Sequence, residues 1–233
     1  MGLEKLEYYR SLFSKYGIQL TETQYQKLAN YAEMLINEKQ NLSAVRDAEA
    51  VWVRHFLDSS YLSQHLDVDS KVLDMGTGGG IPAIPLAILR PDLQISMLDS
   101  EQNKIDFCTR VIAALSLNAN AICARAEELA HDNQFRNTFD FVVSRAMASG
   151  SMLCELSVSF LKIGGKLIAM KGRSFDPNSE RFHSAAITLH CAEPNYLGYK
   201  LENEDKVLVF VQKTAETDLK YPRRFAKIKR NPL

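Results

Sequence analysis

No stretch of the 233-residue chain holds the ~18 continuous apolar residues that a membrane span requires. Its first residues, MGLEKLEYYRS, carry acids and no apolar run, so a secretory leader is not expected and a cytoplasmic protein is. Cysteine is scarce: Cys108, Cys123, Cys154 and Cys191 stand far apart with no C-x-x-C pair, which excludes the usual zinc and disulfide frameworks and leaves reduced thiols. The five histidines show no ligand spacing, so no metal is expected. Net charge is also absent, with 28 basic against 28 acidic residues, so the chain is not a uniformly basic nucleic-acid binder. Repeats and low-complexity tracts are missing. The remainder has the size and apolar fraction of one substantial globular domain with a small appendage at most.

What is present is concentrated between Lys71 and Asp99, KVLDMGTGGGIPAIPLAILRPDLQISMLD. A short apolar run enters a glycine turn, an apolar helix follows from Ile81 to Leu89, and Leu93–Leu98 forms a second strand that ends on Asp99. Glycines after a strand allow positive φ and leave no Cβ between backbone and ligand. The next helix N-terminus aims unpaired N–H groups into the same crevice. An acid closing the next strand can accept the hydroxyl protons of a ribose. This is a site for a nucleoside-bearing cofactor.

Spacing sorts the candidates. A P-loop requires Lys and Ser or Thr after its last glycine, where this chain has Ile81-Pro82. A dinucleotide fingerprint fits only when counted from Gly78 to Ala83, which puts Pro82 inside the turn. Acid-x-Gly-x-Gly-x-Gly is met without adjustment by Asp74, Gly76, Gly78 and Gly80, the loop pattern of adenosylmethionine-dependent methyltransferases. A dinucleotide-dependent oxidoreductase is the rival reading.

Along the chain, residues 3–16 and 22–40 are predicted helices, with Thr21 or Thr23 as cap and Leu28, Tyr31, Ala32, Leu35 and Ile36 as the buried stripe. Residues 41–46 are a connector, and helix resumes over 48–65. There Arg54 and Asp58 stand i, i+4, which by spacing favours a surface ion pair; a substrate-facing role for Arg54 and His55 is the alternative. A helix over 101–115 buries Ile105, Cys108, Ile112 and Leu115, and a third strand over 120–124 leads to Ala126 and Glu127. In an open α/β sheet ligands sit beyond the carboxyl ends of the strands, which puts these two beside an adenine. A fourth strand, 139–143, ends in Ser144-Arg145-Ala146; a helix spans 149–161 with Gly164-Gly165 as its turn. The fifth strand, 166–170, ends in Lys171-Gly172, so Arg145 and Lys171 project onto one rim. A helix over 178–186 precedes two antiparallel edge strands, about 188–199 and 206–213. The sum is an α/β fold: one doubly wound, mostly parallel seven-stranded sheet with helices on both faces (67–233) and an N-terminal helical cap (1–66).

Charge is uneven at the end. Lys220, Arg223, Arg224, Lys227, Lys229 and Arg230 occur there with no acid, while the other 22 basic residues face all 28 acids, a balance of −6. A basic tail on a slightly acidic body suits a local phosphate contact, or simply a solvated terminus. The methyl acceptor is narrowed by absences. The Asn/Asp-Pro-Pro-aromatic run that orients an exocyclic amine is replaced by Ser144-Arg145-Ala146-Met147, no cysteine sits in a strand-end loop to attack a pyrimidine C5, and no metal site suits a catechol. An acceptor with a lone pair and no proton to lose, such as guanine N7, fits, and then no general base is nominated. A small-molecule acceptor remains the other possibility.

Several separated segments then resemble one family. Asp74-Met75-Gly76-Thr77-Gly78-Gly79-Gly80-Ile81-Pro82-Ala83-Ile84-Pro85-Leu86-Ala87 is similar to the loop of the bacterial ribosomal small-subunit RNA methyltransferase G family, also called glucose-inhibited division protein B. So are Asn41-Leu42-Ser43-Ala44, Arg54-His55-Phe56-Leu57-Asp58-Ser59, Leu98-Asp99-Ser100, Ser144-Arg145-Ala146, Lys171-Gly172 and the closing Tyr221-Pro222-Arg223-Arg224 with Pro232-Leu233. The resemblance implies a Rossmann-like class I methyltransferase that transfers a methyl group from S-adenosyl-L-methionine to N7 of a guanine in the decoding region of 16S ribosomal RNA. The partner it implies is that RNA or the small subunit, and a monomer is expected. With the loop spacing, it puts Gly76, Gly78, Gly80, Ile81, Asp99, Ser100, Ala126, Glu127 and Arg145 at the cofactor, and makes Arg54, His55, Lys171, Arg223 and Arg224 candidates for the RNA side. The chain departs from the pattern at Ala83, where Gly is usual, at Asn103-Lys104, where Lys-Arg is common, and over 225–228, which lacks the usual Gly and Pro.

Overall fold

The computed structural model describes residues 3–38, 42 and 47–233; the expected connector over 41–46 lies outside them apart from Leu42. In chain order the elements are α1 (Leu3–Ser14), α2 (Glu22–Asn37), α3 (Ala48–Val51), a π-helical stretch (Trp52–Leu57), α4 (Asp58–Ser63), β1 (Lys71–Met75), α5 (Ala83–Leu89), β2 (Gln94–Asp99), α6 (Gln102–Leu115), β3 (Ala119–Cys123), α7 (Ala126–Leu129) and β4 (Phe139–Arg145). Then come α8 (Gly150–Ser157), β5 (Leu161–Lys171), α9 (Pro177–Glu180), α10 (Phe182–Thr188), β6 (Asn195–Leu201), β7 (Glu204–Gln212) and α11 (Phe225–Arg230). The sheet runs β3-β2-β1-β4-β5-β7-β6; the first five strands are parallel and β7 pairs antiparallel with both β5 and β6. Among the described residues no helix is long and apolar enough to cross a membrane, and no group of three or more His, Cys, Asp or Glu could hold a metal.

Strand side chains alternate between two apolar layers, because successive residues point to opposite faces of a pleated strand. Val72, Ile95, Phe141, Val143, Ile168 and Leu208 pack with α1, α2, α5 and α6. Leu73, Leu98, Val142, Leu167, Ala169 and Val209 pack with α8 and α10. The N-terminal helices therefore share a core with one face of the sheet. At their centre Trp52, wholly buried, stacks on Tyr9 with ring centroids 4.3 Å apart and on Tyr25 at 5.1 Å. Thr21 caps α2 in a capping box with Gln24.

Several sequence expectations are corrected. The helix over 48–65 is interrupted by the π stretch, which shifts the register between positions 54 and 58. The expected Arg54–Asp58 surface pair is not formed: Arg54 meets Glu204 at 3.1 Å, and Asp58 is buried. Gly164-Gly165 lies inside β5, where the register against β4 slips; a Cβ on Gly165 would stand 2.9 Å from the Asp140 carbonyl. The 178–186 helix breaks at Arg181, whose φ is +56°, and continues to Thr188, so the edge strand begins only at Asn195. On α6 the buried face turns toward Phe107 and Val111, leaving Ile112 partly covered. The basic tail, for which no element was foreseen, ends in α11.

The cap bears directly on the glycine loop. The Tyr31 hydroxyl donates 2.6 Å to the Gly79 carbonyl; the ring is fully buried and its pKa is pushed well above 10 by burial, so the donor stays protonated. Tyr31→Phe leaves that carbonyl without its donor and should lower the unfolding free energy by about 1–3 kcal/mol. The check is the urea midpoint at an unchanged m-value; an unmoved midpoint would mean that the hydroxyl contributes nothing.

Candidate active site

The loop after β1 is held from two directions. The Leu98 carbonyl accepts the N–H groups of Gly76 (2.8 Å) and Thr77 (3.0 Å), which ties the turn to the end of β2. The Asp74 Oδ2 accepts from the Thr77 hydroxyl (2.7 Å) and the Ala83 N–H (3.3 Å), which fixes the turn to the start of α5. Gly76, Gly78 and Gly80 all have positive φ. At Gly76 the lack of a side chain matters twice, because a Cβ there would also lie 2.8 Å from Met147 Cγ.

Asp99 closes the circuit. Its Oδ2 accepts the Gly78 N–H at 3.0 Å, its Oδ1 accepts the Glu101 N–H at 3.1 Å, and the Lys104 ammonium stands 3.7 Å away. Each carboxylate oxygen keeps a further lone pair, so two more hydrogen bonds can be accepted. Beside it is a cavity of about 300 Å³ at the carboxyl ends of β1 to β4, lined by Gly76, Gly78, Asp99, Ser100, Ala126 and Glu127 among others. These six are sequence-predicted cofactor residues. A wider groove lies at the other end of the strands, around Lys71, Gln94 and Asn118, but α/β sheets bind ligands beyond the carboxyl ends.

Three cofactor candidates do not line the cavity. Gly80 sits against Ile84 and Tyr31, Ile81 packs on the core, and Arg145 joins a polar cluster under the cap. In that cluster an Arg145 Nη2 N–H donates 2.9 Å to His55 Nδ1. Arginine can only donate, so His55 is neutral at Nδ1; burial, reinforced by Arg145, lowers its pKa to about 4. Asp58 takes the Tyr199 hydroxyl at 2.6 Å and the Lys206 ammonium at 3.4 Å, with Arg145 Nη1 at 3.9 Å. Arg145 Nη1 and Asp74 Oδ1 are both buried with no hydrogen-bond partner among the described residues.

The RNA-side candidates divide. The Lys171 ammonium is held 3.0 Å from Glu180, whose carboxylate also takes the Gly150 N–H at the start of α8. Arg223 donates through Nε (2.6 Å) and Nη2 (2.5 Å) to the fully buried Glu155. His55 is turned inward. Arg223 is committed to its internal partner because an uncompensated buried carboxylate is far costlier than a lost surface charge. Arg54 and Arg224 remain exposed. Among the cavity residues that sequence reasoning missed are Met147, Lys104, Arg125 and Phe225. Arg125, Met147 and Lys104 each stand within five residues of a predicted site residue, whereas Phe225 comes from 126 positions beyond Asp99.

Residues 24–208 match the family described as rRNA small subunit methyltransferase G. The chain belongs to that family. Methyltransferase G relatives cover it almost end to end: the Ribosomal RNA small subunit methyltransferase G of Streptococcus gordonii is 36% identical over 97% of this chain and 98% of its own, and that of Streptococcus pneumoniae is 35% identical over 98% and 100%. Among solved structures, a Methanococcus maripaludis protein assigned as an S-adenosyl-L-methionine-dependent methyltransferase superposes with a TM-score of 0.57 at 16% identity, over 86% of this chain and 98% of that one. Pyrococcus horikoshii TYW2 in complex with MeSAdo gives 0.53 at 15% identity, over 69% and 63%. The fold is the Rossmann-like class I methyltransferase fold, and the chain is an S-adenosyl-L-methionine-dependent methyltransferase of the methyltransferase G family.

Burial raises the Asp74 pKa to about 7, and the neighbouring Asp99 adds to the rise against the opposing hydrogen bonds from Thr77 and Ala83. An unfolded aspartate loses its proton near 3.8, so between that value and about 7 the native state holds the extra proton, and stability falls as pH rises through this window. Asp74→Asn keeps an oxygen for Thr77 and Ala83 and should remove roughly 2–4 kcal/mol of that decline. Chemical unfolding of both proteins at pH 5 and pH 8 reads it directly; parallel losses would refute the assignment to Asp74.

Proposed function

We propose that the cavity beside Asp99 binds the nucleoside of S-adenosyl-L-methionine and that the acceptor is N7 of a guanine in the decoding region of 16S ribosomal RNA. The enzyme acts as a cytoplasmic monomer on that RNA or on the small subunit. The observation that carries the donor reading is the Asp99 carboxylate, pinned by two backbone N–H groups yet with acceptor capacity left on each oxygen. A ribose diol suits that capacity. Gly76, Gly78, Ser100, Ala126 and Glu127 supply the surrounding wall, while Gly80 and Ile81 hold the loop from behind. Arg145, whose buried Nη1 has no hydrogen-bond partner among the described residues, is suited to an anionic or carbonyl oxygen at the acceptor side of the loop.

The donor, when bound, supplies an electrophilic methyl group on a sulfonium. Guanine N7 offers a lone pair and has no proton to lose, so the residues need only bind, orient and exclude water. No side chain is assigned as a general base. A base inside an RNA helix must be turned out to reach such a pocket. On the RNA side the support falls on the exposed cations of the tail, Arg224, Lys227, Lys229 and Arg230, with Arg54 beside the cap. Lys171 and Arg223 act by holding Glu180 and Glu155 in place, and His55 by orienting Arg145.

Three measurements test this reading. Asp99→Ala should weaken donor binding at least tenfold by calorimetry, and an unchanged affinity would remove the ribose from this pocket. Replacing Arg224, Lys227, Lys229 and Arg230 with Gln should lower affinity for 16S RNA and flatten its salt dependence, by about 0.7 in log–log slope for each single-strand phosphate that is no longer neutralised. An unaltered slope would leave the tail as a solvated terminus. Mapping of methylated guanines in small subunits before and after incubation with enzyme and donor identifies the acceptor atom.

A further inference from the structure

α11 carries more than charge. Ile228 is fully buried, and Arg223, just before the helix, is clamped by Glu155; Arg136 donates to the carbonyls of Thr217 and Tyr221, and His131 Nε2 stands 2.9 Å from the Pro222 carbonyl. The tail is thus bound to the body at several points before it reaches Phe225. There the ring is partly buried and lines the same cavity as Asp99, Ala126 and Glu127. The Arg125 guanidinium lies 5.1 Å from its centroid, and Arg125 is itself held by Glu127 at 2.8 Å.

The position along the sheet says which end of a donor the ring faces. From β1 through β2 to β3 the loops carry Gly78, then Asp99, then Ala126 and Glu127, moving toward the sheet edge and away from β4. A ribose at Asp99 and a methyl group facing the β4 side leave the base at the β3 side, where Arg125 and Phe225 stand. We infer that Phe225, steadied by Arg125, is a donor-binding residue of this enzyme that forms the aromatic wall for the nucleobase. A helix bearing Lys227, Lys229 and Arg230 thereby also completes the cofactor pocket. The inference rests on the placement of the donor proposed above.

The test is calorimetric binding of S-adenosyl-L-methionine and of methylthioadenosine, which keeps the base and ribose but lacks the amino-acid end, with no RNA present. Phe225→Ala should weaken both by about tenfold, within the range that base–aromatic stacking contributes. Phe225→Tyr should bind as the parent does. Phe225→Leu, which keeps the apolar bulk and should unfold at the parental temperature, should still lose several-fold. Leu219→Ala, at an exposed position of the same segment outside the cavity, should leave both affinities unchanged. Parental binding of methylthioadenosine by both Phe225→Ala and Phe225→Leu would overturn the role of the ring. If Asp99→Ala also binds as the parent does, it is the donor placement that has failed; if Asp99→Ala weakens binding while the Phe225 variants do not, the placement stands and this inference alone falls.

Discussion

The molecule depends on how the end of β2 is fastened to the turn that leaves β1. The Leu98 carbonyl takes two N–H groups of the turn, and the next residue, Asp99, takes a third from Gly78. A turn rich in glycine loses much conformational entropy on folding, so it needs fixed acceptors to hold one shape. Those acceptors come from the strand beside it, paired in register from Lys71↔Gln94 to Met75↔Leu98. The same carboxylate that shapes the loop is the one that faces the cavity. Loop shape and the proposed donor binding therefore draw on one group, which keeps acceptor capacity beyond its two backbone donors.

The helical cap extends that fastening from behind. Tyr31 reaches the Gly79 carbonyl, and Gly79 itself lies against Leu35, so α2 touches the loop at two points. Lower down, the π stretch turns His55 inward and lets α4 present Asp58 to Tyr199 and Lys206 from the two edge strands. Arg145, at the tip of β4, meets both His55 and Asp58. One polar cluster thus joins the cap, the middle of the sheet and its antiparallel edge. A buried network of this kind is costly if any member lacks a partner, and among the described residues the Arg145 Nη1 has no hydrogen-bond partner.

Much of this was legible in the chain because its signals are local. The acid-glycine pattern from Asp74 to Gly80, the acid at Asp99 and the strand alternation at Val72-Leu73 depend on neighbours within a few residues, and each lies where its spacing required. What escaped depends on partners far apart. Asp58 reads as one half of an i, i+4 pair, yet its hydrogen-bond partner Tyr199 is 141 residues away. Arg223 reads as a free tail cation, yet Glu155 sits 68 residues upstream and wholly buried. Gly164-Gly165 reads as a turn because a bulge and a turn ask the same backbone freedom of glycine. Phe225 carries no periodic signal, since a six-residue helix at a chain end has almost no pattern to show.

These long-range partners also change what the basic tail is. Six cations without an acid suggest a loose electrostatic arm, but the structure divides them. Arg223 is used up by Glu155 and Lys220 pairs with Asp218, while Arg224, Lys227, Lys229 and Arg230 stay exposed. The exposed four are carried on a segment whose path is set by buried contacts: Tyr221 and Ile228 in the core, and Arg136 on the backbone carbonyls. Charges on a tethered helix keep a defined distance from the cavity, whereas charges on a free arm do not. Under the proposed function, a phosphate bound there would hold the RNA in a set relation to the cavity beside Asp99, and an acceptor that needs only correct placement would gain its rate from that relation.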